Sequence, residues 1–250
     1  MDGRLRGRPR AGPAGGKKRQ RIEEDEVQVR VMGKDRLSPY YPVFLNISGR
    51  KCVVVGGGQV ALRKVRGLLE CGADVRVVSP DLCAELDRLA EDGEITVLRG
   101  PYRKDVLEGS LLAIAATDDN GINREVVEEA RGSGVLVNVV DGARDSDFIA
   151  PSCSRRGNIT LAVSTAGSSP ALARKIRSVL ENVFGEEYAE LADLVEEVRA
   201  ELRRQEIKVA GDGWQEALDL DLIVGLIKKG EREKARSVLL GNLKAQQERG

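Results

Sequence analysis

Histidine is absent from all 250 residues. No imidazole can therefore serve as general base, metal ligand or pH switch, and proton chemistry falls to Asp, Glu, Lys or Tyr. Aromatic residues make up only 3% of the chain, too few for a platform on which unpaired bases would stack. Cysteine is scarce as well, and Cys52, Cys71, Cys83 and Cys153 show no C-x-x-C spacing. They read as buried thiols of a reducing, cytoplasmic setting, against a disulfide framework or a zinc site. No run of about eighteen apolar residues occurs, so no membrane-spanning helix is expected, and the amino terminus has no apolar secretory core. An excess of one charge is also missing, with 40 basic and 40 acidic residues. The balance is uneven: residues 1–21 hold eight Arg or Lys against Asp2 alone, a net of +7 that leaves −7 on the rest. An acidic body with few aromatics argues against nucleic acid as the main partner.

What is present is glycine at one informative place. In Lys51 to Lys64, KCVVVGGGQVALRK, four apolar residues stop at three glycines and pass directly into a helical pattern. Cys52 to Val55 reads as a buried strand, and Gln59 to Cys71 as a helix with apolar residues two to four apart. Gly56, Gly58 and Ala61 then form the G-x-G-x-x-A variant of a dinucleotide loop, with Gly57 between them. The first glycine permits the tight turn, the second lets backbone approach a pyrophosphate, and Ala61 lets helix and strand pack closely. Glycine triplets also mark ordinary turns, so the loop needs its context.

That context follows. Asp74 to Ser79 alternates polar and apolar residues and reads as a second strand, after which Ser79, Pro80 and Asp81 would face an adenosine ribose. The usual acid at the strand end is missing; Asp81 can replace it or can cap the next helix, which leaves NAD and NADP undivided here. An amphipathic stretch from Leu82 to Ala90, a strand Glu94 to Leu98, a polar crossover Lys104 to Leu107 and a strand Leu111 to Ala116 come next. Thr117, Asp118, Asp119 and Asn120 form a polar turn before a helix over Asn123 to Arg131, and Val135 to Val140 is a fifth strand. The alternation predicts an α/β fold with a Rossmann-like parallel sheet whose ligands lie at the carboxyl ends of its strands, where Thr117, Asp118, Asn138 and Asp141 sit. Asp141 is the favoured functional carboxylate, although an Asp beside Gly is also a common turn residue.

From Phe148 the texture changes to a hairpin, FIAPSCS and ITLAVST around a turn at Gly157 and Asn158. Ser169 and Pro170 open a helix as N-cap and first residue. A stripe from Tyr188 through Leu202, then helices over about Trp214 to Lys228 and Glu231 to Gln247, complete a helical carboxyl-terminal domain. The expected domains are a disordered tail (1–36), a nucleotide-binding domain (37–147), a hairpin region (148–184) and the helices (185–250).

Taken together, YPVFLNISGRKCVVVGGGQVALRK, LLAIAATDDNGIN, VNVVDGARDSDFIAPS and LAVSTAGSSPALARKIR resemble the precorrin-2 dehydrogenase and sirohydrochlorin ferrochelatase family, the amino-terminal module of siroheme synthases. The resemblance runs from about Tyr41 to Leu180. It implies NAD as hydride acceptor, precorrin-2 as a tetrapyrrole substrate converted to sirohydrochlorin, and in some members insertion of ferrous iron. It also implies a homodimer formed through the hairpin region. Cofactor contacts map onto Gln59, Val60, Pro80 and Asp81, and the essential aspartate maps onto Asp141. Because the substrate carries many carboxylates, Arg144, Arg155, Arg156, Arg174 and Lys175 are candidate clamps, or else solvated surface charges. The long basic tail lies outside the resemblance, and no methyltransferase domain is expected after it, so upstream methylation would fall to another protein. A different class of function, a nucleotide-sensing module that performs no chemistry, would need the glycine loop alone.

Overall fold

A computed structural model describes residues 40–140 and 142–247, all of which fall within one unit, Leu37–Gly250. The tail expected over residues 1–36 lies outside the described residues, as does Asp141.

Five short strands carry the first half: β1 (Lys51–Val55), β2 (Asp74–Ser79), β3 (Thr96–Arg99), β4 (Leu112–Ala115) and β5 (Leu136–Val139). They form one parallel sheet in the order β3-β2-β1-β4-β5, so the order reverses between β1 and β4. Strand alternation supplies two cores. Cys52, Val54, Val75, Val77, Leu112 and Ile114 face helices α1 (Gln59–Leu69) and α2 (Ala84–Glu91). Val53, Val55, Ala113, Ala115 and Val137 face the opposite side and meet Val126, Val127 and Ala130 of α3 (Asn120–Ser133). Cys52 is fully buried, and burial pushes its thiol up to about 11, in keeping with an inert core residue.

Element boundaries follow local chemistry. α3 starts three residues before the expected Asn123 because Asp119 is its N-cap, its carboxylate accepting from the backbone N–H groups of Gly121 (2.7 Å) and Ile122 (3.2 Å). It ends at Gly134, in the left-handed conformation. β3 begins later than Glu94 because the Glu94 and Ile95 amides turn back to the carbonyl of Leu89. The expected strand from Phe148 also starts late, since residues 146–148 are held against β5, and the hairpin proper pairs β6 (Ser152–Arg156) with β7 (Ile159–Val163).

Helix α4 (Pro170–Val183) opens as expected, with Ser169 Oγ accepting from the Leu172 amide at 3.2 Å. A third core joins α5 (Glu186–Arg204), α6 (Gly211–Ala217), α7 (Leu220–Lys228) and α8 (Arg232–Gln247) around Leu194, Val198, Ile223 and Leu239. The single helix expected from Trp214 to Lys228 is therefore two. Asp219 breaks it by capping α7, accepting from the Leu222 amide at 3.1 Å.

Candidate functional site

The carboxyl edge of β1 shows what each glycine does. Gly56 has φ +129°, and a Cβ there would lie 2.3 Å from the carbonyl oxygen of Ala116, so both conformation and space require glycine. A Cβ on Gly57 would stand 1.8 Å from the carbonyl oxygen of Asp81 and 2.7 Å from Ser79 Oγ. The loop after β2 thus lies directly on the glycine turn, an approach fixed by the Cys83 amide donating to the Gly57 carbonyl at 2.8 Å. Gly58 differs from both. It is the N-cap of α1 in ordinary extended geometry, exposed, with nothing within 4 Å of an added Cβ. Ala61 is fully buried against the strand.

This arrangement fits a dinucleotide. The first turn of α1 has no side-chain cap and no acidic residue, and Gly58, Gln59 and Val60 are exposed, so its unpaired amides face open space beside Gly58. Ser79 is buried and its hydroxyl donates to the Asp81 carbonyl at 2.7 Å, which shapes the loop that presents Pro80 and Asp81. Asp81 is exposed and lies two residues before Cys83, the N-cap of α2; the capping role open to it in the sequence is not seen.

Beyond β4, Thr117 donates from Oγ1 to Asn123 Oδ1 at 2.8 Å, and Asn123 returns a bond from Nδ2 to the Thr117 carbonyl at 2.9 Å. This pair fixes the turn that carries exposed Asp118 next to the glycine loop, since the Ala116 carbonyl is the atom closest to Gly56. Asn123 is 7% exposed and was not anticipated as part of the site. Its position four residues after Asp119, inside a helix, was the available signal.

At the end of β5, buried Asn138 donates from Nδ2 to the Phe148 carbonyl at 2.9 Å. The segment after the loop is clamped further: Asp147 accepts from the Val137 amide at 3.1 Å and donates its own amide to the Val137 carbonyl at 2.7 Å. Ser146 Oγ accepts from the Val139 amide at 2.8 Å. The loop holding Asp141 is therefore anchored on both sides, and Tyr40 donates its hydroxyl to the Ala143 carbonyl at 3.2 Å within it. The Asn138 side chain performs a structural task here, while its buried Oδ1 has no hydrogen-bond partner among the described residues.

The basic candidates do not converge. Arg144 is exposed on a short 3-10 turn, Ala143–Asp145, in the same loop as Asp141. Arg155 reaches instead the far end of α1, where it donates to Cys71 Sγ at 2.9 Å and lies 3.6 Å from Glu70. An eleven-residue helix runs about 16 Å away from the glycine loop, so within one chain Arg155 is not brought to that edge. Arg156 pairs with Glu186 at 3.1 Å, while Arg174 and Lys175 are exposed on α4.

Groups with perturbed protonation serve the scaffold. Burial, and next the hydrogen bond to Glu129, drive the Tyr102 phenol upward, and the same carboxylate holds the amide of Asp105 at 3.0 Å. Burial and then Arg76 lower Lys51, whose ammonium donates to the carbonyls of Val106 (2.9 Å) and Glu108 (2.7 Å) at the amino end of β1. Among the described residues no cluster of three or more His, Cys, Asp or Glu is arranged to hold a metal ion. Among them, too, no helix is long and apolar enough to cross a membrane.

Comparison with known proteins agrees with the geometry. Residues 43–152 match a family model described as putative NAD(P)-binding, and residues 156–182 match one described as sirohaem biosynthesis protein central. The siroheme synthase of Chromobacterium violaceum is 47% identical over 153 residues, covering 61% of this chain and 33% of that protein. That of Nitrosococcus oceani is 39% identical over 202 residues, 80% of this chain and 43% of that protein. The chain thus spans less than half the length of these relatives. Among solved structures, SirC, precorrin-2 dehydrogenase, superposes with a TM-score of 0.63 at 28% identity, covering 82% of this chain and all of that one. With a dinucleotide loop, an anchored β5 loop and a hairpin in this order, the chain belongs to the precorrin-2 dehydrogenase and sirohydrochlorin ferrochelatase family, the module shared with siroheme synthases.

Proposed function

We propose that the protein oxidises precorrin-2 to sirohydrochlorin with NAD. The observation that carries this reading is the pairing of an open, uncapped helix start at Gly58 with an anchored loop holding Asp141 at the same edge of the sheet. Bound NAD supplies the hydride acceptor. The chain supplies the rest: amides at the start of α1 with Gly56, Gly57, Gly58, Gln59 and Val60 for the pyrophosphate, and Ser79, Pro80 and Asp81 for the ribose. Thr117 and Asp118 border the same cleft. Dehydrogenation also releases a proton, and without histidine a carboxylate is the suitable acceptor, which assigns Asp141 as base. Arg144, on the Asp141 loop, is the nearest candidate for a substrate carboxylate. Ferrous iron is a second substrate in this reading, since insertion into sirohydrochlorin needs pyrrole protons removed by the same carboxylate.

Residues 37–147 carry the nucleotide, 148–184 the dimer contact and 185–250 a helical domain. The dimer reading is supported by α4, where Leu172, Ile176, Val179 and Val183 are 38–54% exposed and fall on one face. A second copy, presenting the same stripe, would cover them and bring Arg155, Arg156 and Arg174 of the hairpin region toward the other chain's site. Light scattering should give twice the chain mass, and Val179→Glu should give the chain mass with unchanged helicity. A monomeric parent protein would contradict the dimer. The four free cysteines support a reducing, cytoplasmic location.

The function is tested by supplying the purified protein with precorrin-2 and NAD without oxygen or metal. NADH and sirohydrochlorin should appear together. A nucleotide sensor would bind NAD and produce neither.

A further inference from the structure

One feature of the helical domain has no task in this chemistry. At the carboxyl end of α5 the chain reverses through Glu206, at φ +56°, then runs extended to α6, leaving an open groove of about 490 Å³. Its floor is apolar, from Leu202, Ile207 and Val209. Its rim carries Arg199, Arg203 and Lys208, and no acidic residue lines it. Trp214 of α6 forms one wall, with the Arg199 guanidinium 5.0 Å from the indole centroid.

Some cations of this bundle are paired, while others, among them Arg204, Lys229 and Lys244, have no ion pair among the described residues. What sets Arg199, Arg203 and Lys208 apart is that they line one groove with no acidic residue in it. Arg232 pairs with Glu197 at 2.6 Å, Lys228 with Glu187 at 2.9 Å, and Arg236 with Glu201. Among the described residues Arg199, Arg203 and Lys208 have no ion pair at all. Arg199 and Arg203 stand four apart on one helix, an arrangement that like charges disfavour. The helix dipole favours a cation at Arg203 in the last turn, yet it gives no reason for Lys208 and Arg199 to meet there. The −7 carried by the chain after residue 21 makes this local excess more pronounced.

The geometry points to a binding site for a nucleoside di- or triphosphate in this groove, separate from the glycine loop. Guanidinium forks and an ammonium take phosphate oxygens, the apolar floor beside the indole takes a planar base, and the volume lies in the range of small-ligand sites. The site requires neither precorrin-2 nor hydride chemistry, so it stands or falls apart from the proposed reaction.

Trp214 is the only tryptophan in the chain, which makes its emission a report on this groove alone. The full chain, saturated with NAD to fill the glycine loop, is titrated with ATP. Emission should change saturably, with one ATP bound per chain by calorimetry. Arg203→Glu and Lys208→Glu, both at exposed positions, should each weaken binding by about tenfold or more while leaving NAD affinity intact. No saturable change, or equal affinity in both variants, would overturn the site. Tripolyphosphate binding as tightly as ATP would remove the base from it, and uroporphyrin binding more tightly would replace the nucleotide by a tetrapyrrole carboxylate; either result overturns the assignment.

Discussion

Gly57→Ala should destabilise the protein by about 2–3 kcal/mol and abolish NAD binding, whereas Gly58→Asp should leave the fold intact and lose NAD alone. The two glycines are neighbours with opposite surroundings. A methyl group at Gly57 meets the Asp81 carbonyl oxygen at 1.8 Å; that atom is backbone and accepts from Ser79 Oγ, and its loop is tied to the glycine turn by the Cys83 amide, which donates to the Gly57 carbonyl. Relief would require the β2–α2 loop to lift away, taking with it the residues that face the ribose. Gly58 has extended backbone and empty space around it, so the folded chain accepts a side chain there. A carboxylate at that point would stand among the unpaired amides of α1, where a pyrophosphate belongs, and would repel it. Urea denaturation and calorimetry on both variants check the split. Equal stability of Gly57→Ala and the parent, or NAD binding by Gly58→Asp, would contradict this placement of the cofactor.

Asp141→Ala should lower precorrin-2 oxidation by about 10²–10⁴-fold, the usual contribution of a positioned base, with NAD affinity and thermal stability unchanged. The lack of histidine removes the most common substitute, and the supports of this loop lie on its flanks. Asp147 and Ser146 hold the returning segment, and Tyr40 bonds the Ala143 carbonyl, so the described residues flanking position 141 have anchors of their own. Iron insertion, measured separately with sirohydrochlorin and ferrous iron, should fall in the same variant. Full activity in a folded, NAD-binding Asp141→Ala protein would contradict Asp141 as the base.

Much of this was legible in the sequence because the relevant signals are local. A buried strand stopping at a glycine turn specifies β1 and α1 within a few residues, and Ser169 followed by Pro170 marks the start of α4 through capping chemistry that needs no distant partner. Distinguishing Gly57 from Gly58 was not legible, since it depends on where the loop after β2 comes to rest. Arg155 shows the same limit. Substrate clamp and surface charge were both open readings of it, and its pairing within one chain, with Glu70 and with Cys71 84 residues away at the far end of α1, could not be read from the sequence. The break between α6 and α7 was hidden for another reason: the apolar period runs on through Leu218 and Leu220, and only the side chain of Asp219, turned onto the Leu222 amide, interrupts it.

The most direct measurement is the yield of NADH from purified protein incubated anaerobically with precorrin-2 and NAD, with chelator present and no metal added. One NADH for each sirohydrochlorin formed is the predicted result. Sirohydrochlorin formation independent of NAD, or no NADH from protein shown to bind the cofactor, would contradict it.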